Sequence, residues 1–114
     1  MLAAEITRAL LLFTLAGLAE IGGGWLVWQW LRADRPWPFG LLGAGVLFSY
    51  GVVHTFQQDD TFGRIYAAYG AIFLVIAFAW GMTFDQWRPD RWDYIGAALC
   101  LIGASIMLFA PRSG

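Results

Sequence analysis

The chain has 114 residues, of which 60% are hydrophobic and only 13% charged. Ordinary soluble domains carry roughly a quarter charged residues, so the composition points to a small membrane protein. The formal net charge is −1, with Asp and Arg mixed through the sequence; that gives no basic surface for nucleic acid.

Four stretches lack Arg, Lys and Asp: residues 9–31, 39–56, 66–84 and 94–110. At about 1.5 Å per residue, each suits a helix crossing a hydrocarbon core of roughly 30 Å, the last one with help from its flanks. The sequence therefore predicts an all-α membrane protein, a single transmembrane domain over residues 1–114. Trp30, Trp37, Trp87, Trp92 and Tyr94 fall at segment ends, as an aromatic belt requires. The connections hold Pro36, Pro38, the Asp59-Asp60 pair and Pro89. They are short enough to make successive helices antiparallel neighbours in an up-down four-helix bundle.

The first segment contains Glu20 at its midpoint, the only acid within any of the four stretches. A charged side chain at the bilayer centre costs about 2.5–3.5 kcal/mol on insertion scales, so such groups usually face the interior and mark an ion or substrate path. A protonated Glu bridging two helices is the structural alternative. At 100° per residue its helical neighbours are Phe13, Ala16, Gly17, Gly23, Gly24 and Val27. The small ones among them, Gly17 and Gly24 included, either admit a second helix or leave room for a ligand.

The second segment offers Ser49, Tyr50 and His54; the histidine, near one membrane face, is read as an interfacial side chain, with a proton relay as the alternative. The third carries Tyr66, Tyr69, Phe73, Trp80 and Phe84 within about 60° of one another. Such a stripe is either packing or, with an acid elsewhere in the bundle, one wall of a path for an organic cation. Tyr66, Tyr69 and Trp80 are the candidate path residues. The fourth segment places Gly96, Cys100, Gly103 and Met107 along a narrow seam suited to close helix approach, within the chain or between copies. The lone Cys100 excludes an internal disulfide, and Asp59-Asp60 has no His or Cys beside it to form a metal set.

Loop arginines nearly tie. Arg8, Arg64 and Arg112 fall on the face of the termini, and Arg32, Arg35, Arg88 and Arg91 on the other. Orientation follows that bias in most membrane proteins. Either another factor such as helix hydrophobicity fixes one orientation, or the near tie means insertion both ways round and an antiparallel, dual-topology homodimer, which would form an inverted repeat from two copies.

The run FGRIYAAYGA at 62–71 resembles the signature of the YnfA family, which belongs with the small multidrug resistance transporters. LAEIGG at 18–23 and RPDRWDYIGAALCLIGA at 88–104 extend the resemblance over the whole chain. It implies four-helix chains forming antiparallel dimers that exchange protons for cationic compounds through a membrane-embedded glutamate, here matched by Glu20. Tyr66 and Tyr69 resemble the paired aromatics of the third helix, and Gly96 and Gly103 the dimer-seam glycines of the fourth. Where the multidrug branch has a Gly-Val-Gly hinge in the third helix, only Gly70 stands here, between Tyr69 and Ala71.

Together these features lead to the expectation of a proton-coupled exporter of small organic or aromatic cations in the bacterial inner membrane. It would not be an enzyme, and protons would serve in place of a cofactor. Its partners would be a small cation, a second copy of itself and the lipid bilayer. The alternatives are a selective exporter of a single metabolite or guanidinium-like cation, and a non-transporting membrane assembly protein.

Overall fold

The computed structural model describes residues 3–58 and 61–111, and the side chains of 108 and 109 are left aside; Asp59, Asp60 and Arg112 lie outside the described residues. The described residues form four helices: α1 Ala3–Leu31, α2 Trp37–His54, α3 Phe62–Phe84 and α4 Arg91–Phe109. They fall into two compact units, Met1–Gln58 with α1 and α2, and Asp59–Gly114 with α3 and α4. Each unit is an antiparallel helical hairpin, as its short connection dictates.

Among the described residues, α1, α2 and α3 are long and apolar enough to cross a membrane. Their surfaces match that solvent: Leu11 is 66% exposed and Phe48 75% exposed, which water would penalise and lipid does not. Hydroxyls on these helices donate back to their own helix, Thr14 to the Leu10 carbonyl at 2.8 Å and Ser49 to Gly45 at 3.1 Å. A polar group facing hydrocarbon is thereby satisfied without a partner helix.

The helices are longer at their N-termini than the charge-free stretches of the sequence. α2 starts at Trp37, with Pro36 as its N-cap and Pro38 in its first turn, where proline's missing N–H costs nothing. α3 takes in Arg64, and α4 begins with a reciprocal cap. The Asp93 amide donates to Asp90 Oδ1 and the Asp90 amide to Asp93 Oδ2, both at 2.9 Å.

The first helix of each hairpin ends in the same way. Asp34 and Gln86 adopt left-handed φ values of 57° and 60°. The next residue's N–H then reaches back over the helix end, Arg35 to the Gln29 carbonyl and Trp87 to the Gly81 carbonyl, both at 3.0 Å. A tryptophan ring covers a glycine beside each turn: a Cβ on Gly40 would collide with the Trp30 ring, and one on Gly81 would stand 2.8 Å from Trp87 Cε3. In the second hairpin Phe78 bridges Trp87 and Tyr94, with ring centroids 4.8 and 5.9 Å away.

Candidate functional site in the first hairpin

Glu20 lies near the middle of the 29-residue α1 and is half-buried. On the same side of the helix, Phe13, Ala16 and Gly17 are buried, Ala16 completely. The acid is thus carried by the inward face of a spanning helix, not by its lipid face.

The glycines around Glu20 divide by role. Gly23 is used by packing: a Cβ there would meet the Leu47 side chain at 2.8 Å and the Gly43 carbonyl oxygen at 3.1 Å. Gly17 is buried, whereas Gly24 is exposed with open space where a Cβ would stand. Of the two proposed path glycines, only Gly17 lies in the enclosed part of the face that carries Glu20.

His54 was read from sequence as an interfacial side chain, and the structure packs it inside the first hairpin. It closes α2, but its side chain is only 5% exposed. Its ring stands edge-on to Tyr50 at 5.0 Å and lies 6.2 Å from the Phe13 ring. Beyond it the end of α2 is tied to α1: Arg8 Nη2 donates to the Phe56 carbonyl at 3.0 Å, and Gln57 Nε2 to the Ala9 carbonyl at 3.2 Å. The sequence holds one signal for this site, an imidazole inside an otherwise uncharged stretch; its depth depended on helix pairing.

In the second hairpin the aromatic stripe of α3 is paired at i, i+4 spacing. Phe62 lies 4.4 Å from Tyr66, Tyr69 5.8 Å from Phe73, and Trp80 4.6 Å from Phe84, centroid to centroid. Tyr69 is buried, and Tyr66 and Trp80 are half-buried. On α4, Gly96 and Gly103 are exposed with open space at each Cβ position, so among the described residues of the second hairpin neither seam glycine is in close packing.

The family described as "Uncharacterised BCR, YnfA/UPF0060 family" matches residues 6–113. A UPF0060 membrane protein of Desulfitobacterium hafniense is 53% identical over 107 residues, covering 94% of this chain and 99% of the relative. A UPF0060 membrane protein of Halalkalibacterium halodurans is 56% identical over 107 residues, with the same coverage. UPF0060 membrane protein YfjF of Bacillus subtilis is 55% identical over 103 residues, 90% of this chain and 94% of the relative. No solved structure shows significant similarity to the chain. With three helices among the described residues long and apolar enough to cross a membrane, and relatives named as membrane proteins along its whole length, this is a multi-pass membrane protein, and it belongs to the YnfA/UPF0060 family.

Proposed function

We propose that the protein is a proton-coupled exporter of small organic or aromatic cations in the bacterial inner membrane. The observation that carries this reading is Glu20, an acid half-buried on the inward face of a spanning helix beside buried Ala16 and Gly17. A carboxylate held there is neutralised either by a proton or by an organic cation. The two compete for one group, so their movements are opposed. In this reading Tyr66, Tyr69 and Trp80 are cargo-path residues, chosen for the π faces that attract an organic cation.

In this reading α4 is the fourth span and the working unit is an antiparallel, dual-topology homodimer. The open positions of Gly96 and Gly103 support a partner helix from a second copy, and the near tie of loop arginines supports insertion both ways. Lysines added to the C-terminal tail should then bias single-chain topology and lower activity until an oppositely biased copy is co-expressed. Full activity of the biased chain alone would refute dual topology.

Ligand-driven proton release tests the coupling. Detergent-solubilised protein mixed with ethidium in weak buffer should acidify the solution as ethidium binds, and Glu20→Gln should not. Binding without proton release would point instead to an uncoupled binding or assembly role.

A further inference from the structure

Arg32 is the first residue beyond α1, and its guanidinium lies over the ring of Trp28, 4.6 Å from the centroid. Trp28 is four residues back, about 6 Å along the helix and so toward the membrane interior. The direction follows from the helix itself, whose side chains lean toward its N-terminus. At the C-terminal end of a spanning helix that lean draws a guanidinium away from water, whereas an arginine there usually stretches out to reach it. Arg91, over the Trp92 ring at 4.9 Å, opens α4, and the same lean points it off the end of its helix.

Trp28 is 55% exposed, and Arg32 is exposed beside it. No described residue accepts a hydrogen bond from the Arg32 guanidinium or forms an ion pair with it. The indole face attracts the charge but leaves the five N–H donors without an acceptor, which is costly beside hydrocarbon. An anion with two oxygens matches the guanidinium fork, as a phosphate does, and the phosphates at an exposed membrane boundary are those of lipids. Local charge then selects among lipids. Residues 32–35 set Arg32 and Arg35 against Asp34, whereas residues 85–93 set Arg88 and Arg91 against Asp85, Asp90 and Asp93. The first connection is positive and repels the ammonium of a zwitterionic headgroup. Arg35 is held in the same turn, its amide bonded to the Gln29 carbonyl at 3.0 Å.

We propose that Trp28 and Arg32 form a binding site for the headgroup phosphate of an anionic phospholipid. Arg32 donates to the phosphate oxygens, Trp28 holds the guanidinium at the boundary between headgroups and acyl chains, and Arg35 adds positive potential. The site stands independently of the role given to Glu20.

Native mass spectrometry of the full chain in detergent, titrated with phosphatidylglycerol or phosphatidylcholine, counts bound lipids and tests this. The wild type should prefer the first phosphatidylglycerol, and Arg32→Gln should weaken it about fivefold, the weight of one basic residue at an anionic membrane surface. Trp28→Leu leaves every charge in place and should still weaken it by about two- to fivefold, because the guanidinium is no longer held. Arg91→Gln removes an equal charge from the second hairpin and should cost less than about twofold. All three positions are exposed, so helicity should not change. Equal losses in Arg32→Gln and Arg91→Gln would overturn the site in favour of general charge attraction. Full affinity in Trp28→Leu, or no preference for phosphatidylglycerol in the wild type, would overturn it as well. Displacement of the lipid by an equal concentration of inorganic phosphate would overturn its assignment to a lipid.

Discussion

Gly23 and Gly43 face each other across the α1–α2 hairpin so closely that neither tolerates a side chain: a Cβ on Gly43 would stand 2.8 Å from the Gly23 carbonyl oxygen, and one on Gly23 3.1 Å from that of Gly43. Backbone stands in the way on both sides, joined by Leu47 Cγ at 2.8 Å from the Gly23 position and Val27 Cγ2 at 2.9 Å from that of Gly43. Gly43→Ala should therefore destabilise the hairpin by about 1–3 kcal/mol, the usual cost of overpacking. Gly45→Ala is the control, since nothing lies within 4 Å of its Cβ position and alanine is the better helix former. Unfolding in a graded detergent mixture should separate the two substitutions, and equal midpoints would mean that the crossing is not close.

Phe78 and Trp87 should be energetically coupled, because the Trp87 ring meets Phe78 edge-on at 4.8 Å while lying over Gly81. A double-mutant cycle with Phe78→Leu and Trp87→Leu should give a coupling of about 0.5–1.5 kcal/mol. Additive effects would reduce the contact to proximity.

Tyr69 is buried in its stripe and pairs with Phe73, so its substitution tests whether the stripe recognises cargo. Tyr69→Leu keeps most of the bulk but removes the π face and the hydroxyl. Ethidium binding should weaken by about 1–2 kcal/mol, roughly five- to thirtyfold, if a desolvated cation–π contact is lost. Unchanged affinity with unchanged helicity would make the stripe packing alone.

The helical class and the order of the segments were legible because long uncharged runs need the backbone satisfied within the segment. Helix starts were less so. Charged residues mark the edge of hydrocarbon, not the end of a helix: Glu5 and Arg8 lie inside α1, and Arg91 and Asp93 open α4. The Asp90–Asp93 spacing was itself a capping signal. What was not legible depended on pairing. Gly23 was one of the small neighbours of Glu20 that either admit a second helix or leave room for a ligand; its neighbour across the hairpin is Gly43, and which glycines meet follows from register and crossing angle. The burial of His54 was likewise not legible, because it depends on Phe13, Arg8 and Ala9 of α1 meeting the end of α2.

The central claim is that Glu20 couples proton and cation movement, and vesicles reconstituted with Glu20→Gln test it most directly. The neutral amide resembles the protonated acid in shape, so the variant should insert and fold as the wild type does. With an imposed pH step and ethidium as cargo, wild-type vesicles should concentrate the dye against its gradient, and Glu20→Gln vesicles should show only the rate of protein-free ones. Uphill accumulation by Glu20→Gln at the wild-type rate would contradict the account.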